Sequence, residues 1–291
     1  MQKVKRKFFW KDYLLDQRID FNSNFMFSTC VTKNHLNELK KIAIKIINKS
    51  LNKKFVSLDQ ALVEINKASS IKLIKDKDLY TSLDSTLYDI LKDLGLDKLA
   101  KGIEFPSNLR VAHGKPPNSY LERNYATDYF HSDIWSDEPE DIINVMIYLA
   151  GDLNATKMQI FEFDDALEEK LLKYKGGYKN TPFSKKDFNE IKYKPQEGQI
   201  LIWDGVVPHN TKRENGSARI SIDFRLKRKD PYLIIDDKWF RDYIPISRYW
   251  YLNKNSITSF EERIEEEIKQ ISIHHSNEKS ILRKKIALKD F

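Results

Sequence analysis

The chain has 291 residues, enough for one large domain or a modest two-domain protein with a sizeable core. Its 41% hydrophobic and 12% aromatic content is that of a folded globule, and its net charge of +7 is spread over 50 basic and 43 acidic residues, which permits nucleic acid without indicating it. The single cysteine, Cys30, excludes an internal disulfide framework and any Cys-rich metal site, and fits a reducing compartment.

At the N-terminus a basic start runs into Phe8-Phe-Trp10, but Lys11, Asp12 and Asp16 break the apolar run before a signal-peptide core is complete. No stretch approaches the roughly 20 apolar residues of a membrane span. The expectation is a soluble cytoplasmic protein with no membrane partner. Leu36, Leu39, Ala43, Ile46 and Ile47 then recur at helical spacing, as do Leu83, Leu87, Ile90, Leu91 and Leu94, which stop at Gly95. Between them Ser57-Leu-Asp-Gln60 has the form of a capping box opening a helix through about Lys67. From about Asn108 the period becomes that of strands: Leu109–Ala112, Ile142–Leu149, Met158–Phe163, Gln199–Trp203 and Arg219–Lys227 are short and rich in branched or aromatic residues. Lys115-Pro-Pro-Asn118 and Lys175-Gly-Gly-Tyr178 separate them as turns.

Beyond the strands, Phe260, Ile264, Ile268 and Ile271 share one side of a charged helix, suited to packing on the domain or on a second copy in a homo-oligomer. Arg283-Lys-Lys285 reads as a solvated tail. Helices followed by many short strands predict a mainly β fold, a sandwich or barrel with a helical layer on one face. One domain over 1–291 is expected, with a helical part over 1–107, a β core over 108–230 and a C-terminal helical extension over 231–291.

The chemistry-bearing residues sit in the β part. His131-Ser132-Asp133 is followed 76 residues later by His209 and then, ten residues on, by Arg219-Ile-Ser221. A His-x-acid pair alone means little in a chain with six histidines. Joined to a remote His, it is the two-imidazole, one-carboxylate set that holds iron(II) on one face and leaves positions open for substrate and dioxygen. An Arg shortly after would supply the fixed cation for an anionic co-substrate. If residues 131–133 are a strand, both ligands point to one face.

Asn215-Gly216 signals a hairpin between His209 and Arg219. A two-residue turn would set His209 opposite Ile222 and break the site. A three-residue loop, Glu214-Asn-Gly216 with Gly216 left-handed, sets Thr211 opposite Arg219 and His209 opposite Ser221; this register is the one expected. In the strand itself Arg219, Ser221, Asp223 and Arg225 fall on one face and Ile220, Ile222, Phe224 and Leu226 on the other. Asp223 and Arg225 either line a cavity or pair with neighbours.

Other residues carry two readings each. Tyr125, Tyr129 and Trp135 wall a pocket or fill core, and Asn144 contacts the co-substrate or satisfies a backbone group. Arg110 and Arg123 hold a carboxylate or phosphate of the substrate or form salt bridges, and Arg225 is a candidate for the substrate pocket. His113, His274 and His275 lack a carboxylate at ligand spacing, and Cys30 reads as a buried, inert thiol.

On these residues, His131-Ser-Asp-Ile-Trp135, Gly198-Gln-Ile-Leu-Ile-Trp-Asp204, His209 and Arg219-Ile-Ser221, the chain resembles iron(II)- and 2-oxoglutarate-dependent oxygenases of the phytanoyl-CoA dioxygenase-like group, most of all those of saccharide and aminoglycoside biosynthesis clusters. The resemblance covers roughly Asn108 to Lys227. It implies a double-stranded β-helix of the jelly-roll or cupin-like kind, with His131, Asp133 and His209 as iron ligands. It further implies Arg219 and Ser221 on the distal carboxylate of 2-oxoglutarate, dioxygen as oxidant, and release of succinate and carbon dioxide. Because Asp133 fills the position that halogenases of this superfamily free for chloride, hydroxylation or a related oxidation is implied. The expected substrate is a small polar metabolite, best a sugar or sugar-derived compound. The alternative from another class is a metal- or anion-binding protein on the same scaffold without turnover, and a nucleic-acid or protein substrate is suggested by the positive charge alone.

Overall fold

The computed structural model describes residues 20–21, 23, 25–68, 71–98, 100–104, 106–114, 126–136, 138, 142–214, 218–228 and 243–245. The C-terminal amphipathic stretch, the basic tail, Arg123, Tyr125, the Lys115-Pro-Pro-Asn118 turn and Asn215-Gly216 lie outside them.

Three helices precede the main strands. In α1 (Lys33–Leu51) the Thr32 hydroxyl accepts from the His35 amide at 3.2 Å, and Leu39, Ile42, Ala43, Ile46 and Ile47 form the buried stripe. This satisfies one of the orphan donors of the first turn. In α2 (Leu58–Ile65) Ser57 accepts from the Gln60 amide, while the Gln60 side chain accepts from the amide of Val56, one residue before the reciprocal box would have it. In α3 (Lys77–Asp93) Asp76 is the cap and Gly95, at φ 70°, follows the end, where only a glycine takes the left-handed turn without penalty. A fourth helix, α4 (Asp165–Lys173), follows strand 158–162 and is absent from the sequence reading: it is nine residues long, too short for a sustained period, and Asp164 makes no side-chain cap bond to mark its start.

The strands, in chain order, are β1 (Asp20–Phe21), β2 (Met26–Cys30), β3 (Ala100–Glu104), β4 (Asn108–Ala112), β5 (Ile142–Gly151), β6 (Met158–Glu162), β7 (Asn189–Glu190), β8 (Gln199–Asp204), β9 (His209–Thr211), β10 (Arg219–Arg228) and β11 (Tyr243–Pro245). Among the described residues they make two antiparallel sheets. The larger runs β1-β2-β8-β5-β10-β3-β11 with β4 also on β10, and the smaller runs β7-β6-β9, extended by a bridge from His131 to His209. From β4 onward the chain alternates between them: β4 large, His131 small, β5 large, β6 and β7 small, β8 large, β9 small, β10 large. Two facing sheets wound in this alternating order are a double-stranded β-helix. The large sheet also takes β2 and β3 from before residue 108, where the sequence reads as helical; both strands are five residues long, too short for a periodic signal among long helices.

Each large-sheet strand divides its side chains by alternation. Val145, Ile147, Ile200, Ile202, Ile220, Ile222, Phe224 and Leu226 join the stripes of α1, α2 and α3 in one core. Met146, Tyr148, Leu201 and Trp203 point the other way, into a second core with Ile160, Phe161, Ile191 and Trp135 between the sheets. Each fully buried side chain of this size contributes roughly 1.5–3 kcal/mol, so the two cores fix which face of β10 looks into the helix. Cys30 is a correction: it is exposed at the end of β2, past the covered part of the strand, with the Gln196 amide 3.0 Å from its sulfur.

Candidate functional site

His131 and His209 are brought together by backbone. The His131 amide donates to the His209 carbonyl at 3.0 Å and the His209 amide returns a bond to the His131 carbonyl at 2.7 Å. On its other edge β9 pairs with β6, Ile160 opposite His209 and Met158 opposite Thr211. Both edges of β9 are therefore used, and so are both edges of β10, which pairs with β5 on one side and with β3 and β4 on the other. The expected hairpin between His209 and Arg219 does not form: the link crosses from the small sheet to the large one. The two residues still address one interior, because each points inward from its own sheet.

Asp133 enters differently from expectation. Residues 131–133 are not a strand; His131 makes one bridge and Asp133 opens a 3₁₀ turn (Asp133–Ser136). The turn is pinned by the Ser132 hydroxyl donating to the Gly205 carbonyl at 2.8 Å and the Ser136 hydroxyl donating to the Asp133 carbonyl at 2.8 Å. One ligand atom each from His131, Asp133 and His209 lie within 4.8 Å of one another, and all three residues are buried.

The tautomers follow from the partners. A carbonyl can only accept, so His131 Nδ1–H donates to the Tyr129 carbonyl at 2.7 Å; at His209 the Val207 carbonyl, 2.9 Å from Nδ1, is closer than the Trp203 indole N–H at 3.3 Å, so there too Nδ1–H donates to the carbonyl. That leaves both Nε2 lone pairs for a cation, the usual way an outer partner orients a metal-binding imidazole. Burial, then the adjacent His209, pushes the His131 imidazole down to about 3. Burial also lowers His209, with Asp133 opposing it. Burial alone would raise the Asp133 carboxyl, but Arg225, His209 and His131 outweigh it and hold it below the ordinary carboxylate range. The set is thus two neutral imidazoles and one carboxylate, the donor set suited to a divalent transition metal.

The polar row of β10 faces the same interior. Arg219 is fully buried: its Nη1 donates to the Thr156 carbonyl at 2.5 Å and its guanidinium lies 5.5 Å from the Tyr148 ring centre, while Nε and Nη2 have no protein partner. Ser221 donates to Asp223 at 3.1 Å, and Asp223 pairs with Arg110 at 2.5 Å. Arg225 contacts Asp133, Glu104 and Glu138 at 3.1, 3.3 and 3.4 Å. Asn144, opposite Arg225 in β5, is buried, and its side-chain amide faces the Asp133 carboxyl, which it helps to lower, without a closer partner of its own. The triad opens on a cavity lined also by Glu104, Asn108, Arg110, Asn144, Asp223 and Arg225.

Two aromatic residues fall elsewhere than a pocket wall. Trp135 is in the core between the sheets, stacked on Phe183 with its indole N–H donating to the Leu171 carbonyl at 3.0 Å. Tyr129 packs on that core and gives its carbonyl to His131, and Tyr125 lies outside the described residues. His113 is buried, with its imidazole lowered by burial and by Arg213, and stands apart from the cavity lining. Tyr178, which the sequence reading leaves as part of a turn, stacks on His131 with ring centres 4.0 Å apart, and its hydroxyl lies 3.3 Å from Asp133 Oδ1. Nothing local marks it, since a tyrosine after Gly-Gly is ordinary in a loop.

No family model and no curated protein matches the sequence. Among solved structures, the chain is similar to a prolyl-4-hydroxylase of Pseudomonas putida (15% identity over 70% of this chain and 88% of that one, TM-score 0.34). It is also similar to an N-substituted L-amino acid dioxygenase of Burkholderia ambifaria (13%, 69% and 82%, TM-score 0.34). A third is the Kdo hydroxylase KdoO, described as a non-haem Fe(II) α-ketoglutarate-dependent dioxygenase in complex with cobalt(II) (13%, 68% and 86%, TM-score 0.36).

Proposed function

We propose that this protein is a non-haem iron(II) oxygenase that uses 2-oxoglutarate and dioxygen to hydroxylate, or otherwise oxidise, a small polar metabolite. The observation that carries the reading is the convergence of His131, Asp133 and His209 within 4.8 Å, inside a double-stranded β-helix whose buried Arg219 keeps two donors unpartnered. Unpaired buried guanidinium donors cost free energy and call for an anion. A carboxylate set against Nε and Nη2 would satisfy both.

His131, Asp133 and His209 would hold the metal, and Arg219 the distal carboxylate of 2-oxoglutarate. Ser221 already donates to Asp223, so its contact with that carboxylate would require the hydroxyl to turn. Asn144, whose side-chain amide faces Asp133, would offer Nδ2 to the co-substrate beside the metal. When bound, iron(II) with 2-oxoglutarate and dioxygen supplies the oxidising power for C–H oxidation as the 2-oxo acid is split to succinate and carbon dioxide. The protein's part is to orient the three ligands, exclude water and present the substrate.

A sugar or sugar-derived compound is the preferred substrate class. In the cavity Arg110 is neutralised by Asp223, and Arg225 by Glu104 and Glu138. A cation paired as Arg110 is offers hydrogen bonds to hydroxyl groups more readily than a site for a second phosphate or carboxylate, and Arg225 is already engaged by carboxylates. The helical and β parts share one apolar core, which supports reading the chain as a single domain. No helix among the described residues is long and apolar enough to cross a membrane, and a cytoplasmic setting fits the lone Cys30.

The test is anaerobic addition of Fe(II) and 2-oxoglutarate, which is expected to give a weak visible charge-transfer band that His131→Ala abolishes. A missing band, together with no succinate release across a panel of neutral polyols and sugars, would overturn the reading.

A further inference from the structure

Asp133 uses its two oxygens unequally. Oδ2 faces His209 Nε2 at 3.6 Å, whereas Oδ1 turns away and accepts from Arg225 Nη2 at 3.1 Å. Arg225 is itself fixed: its Nη1 lies 3.3 Å from Glu104 and 3.4 Å from Glu138. Glu104 ends β3 and Arg225 is on β10, the strand that pairs with β3. A rigid fork with donors in two directions thus connects the sheet to one oxygen of the carboxylate. The Tyr178 hydroxyl, 3.3 Å from the same oxygen, has Ser136 Oγ as a closer partner at 2.9 Å, so it is the weaker contact.

We propose that Arg225 is a positioning residue: it holds Oδ1 of Asp133 away from the metal, so that Asp133 binds through Oδ2 alone and leaves a coordination position open. This inference rests on the metal reading above. Two alternatives make opposite demands. If Arg225 served the substrate, its loss would not touch metal binding in the absence of substrate. If it acted only as a positive charge near the cation, its loss would tighten metal binding. The glutamates argue against simple repulsion, because Arg225 has two carboxylates within 3.4 Å besides Asp133 and presents little net charge to the metal. What remains is the directed hydrogen bond.

The experiment is titration of the full chain with Co(II) alone, followed by visible absorption and calorimetry, for wild type, Arg225→Gln and Arg225→Lys. Loss of an outer partner of a ligand costs about 10–100-fold in metal affinity. That loss is expected for Arg225→Gln, with an altered Co(II) spectrum at saturating metal, as Asp133 is freed to use both oxygens. Arg225→Lys, which keeps the charge and one donor direction, is expected to recover part of the affinity. Circular dichroism of each variant without metal separates these effects from misfolding; should Arg225→Gln not fold, Arg225→Lys alone decides by a weaker affinity and a shifted spectrum. Unchanged or tighter Co(II) binding with the wild-type spectrum, or a raised KM as the only change, would overturn the proposal. Failure of the wild type to bind Co(II) would instead overturn the metal reading, and the positioning role with it.

Discussion

Arg219 has a guanidinium with more donors than the protein satisfies. Its Nη1 bonds to the Thr156 carbonyl and the Tyr148 ring lies against its face, yet Nε and Nη2 are buried without partners. Removing one member of a buried charge pair costs 2–5 kcal/mol, so Arg219→Ala should weaken 2-oxoglutarate binding to the metal-loaded protein by about two orders of magnitude. Metal affinity in its absence should stay near wild type. Titration of the charge-transfer band measures both; a co-substrate affinity within threefold of wild type would remove Arg219 from that role. At this scale the members of the His-Asp-His cluster were readable from spacing, but Tyr178 was not, and Trp135 was readable only as pocket wall or core. Their neighbours in sequence say nothing of the ring or carbonyl each meets: Tyr178 stacks on a histidine 47 positions earlier, and Trp135 donates to Leu171.

At the scale of elements, β10 is the member on which the site depends, and Gly151 sets where it begins. Gly151 ends β5 opposite Arg219, at φ 106°, and a Cβ there would stand 2.2 Å from the Ala218 carbonyl oxygen. Backbone cannot yield as a flexible side chain can, and a left-handed conformation adds strain of order 1–3 kcal/mol. Gly151→Ala should therefore destabilise the protein by about 2 kcal/mol or more, read as a lower urea midpoint at unchanged slope; a midpoint equal to wild type would count against this account of the strand start. The alternation of β10 was legible, since Ile220, Ile222, Phe224 and Leu226 all reach the helical core. The hairpin was not, because Asn-Gly marks a tight reversal and does not say which strand takes the free edge. Here β6 and His131 had already taken both edges of β9.

For the molecule as a whole, acid should act in one direction. The folded-state values of His113, His131 and His209 are all lowered from 6.5, and that of Asp133 lies below 3.8. In each case the unfolded chain binds a proton more readily than the folded one, so stability is fully present above the unfolded value and falls as pH drops. For the histidines the loss begins near pH 6.5 and for His131 continues to about 3; Asp133 adds to it in stronger acid. Thermal unfolding of the metal-free chain should thus move steadily to lower temperature from pH 7 to pH 4, and a flat or rising profile would contradict the buried, neutral imidazoles. At neutral pH, Co(II) at a hundred times its Kd should add about 2.7 kcal/mol, a gain that shrinks in acid as protons compete for the same ligands.

By itself the sequence determined the periodicities and the chemistry: amphipathic helices first, five strands in nearly their observed places, and two histidines, a carboxylate and an arginine at spacings suited to a metal and an anion. These are local properties, carried by side-chain alternation, capping and residue type. Tertiary structure alone decided how the pieces meet, because pairing depends on which backbone edges remain free and which faces two cores claim. It put His209 and Arg219 on opposing sheets, turned Asp133 inward through a 3₁₀ turn instead of a strand, and brought Arg225 and Tyr178 to its outer oxygen.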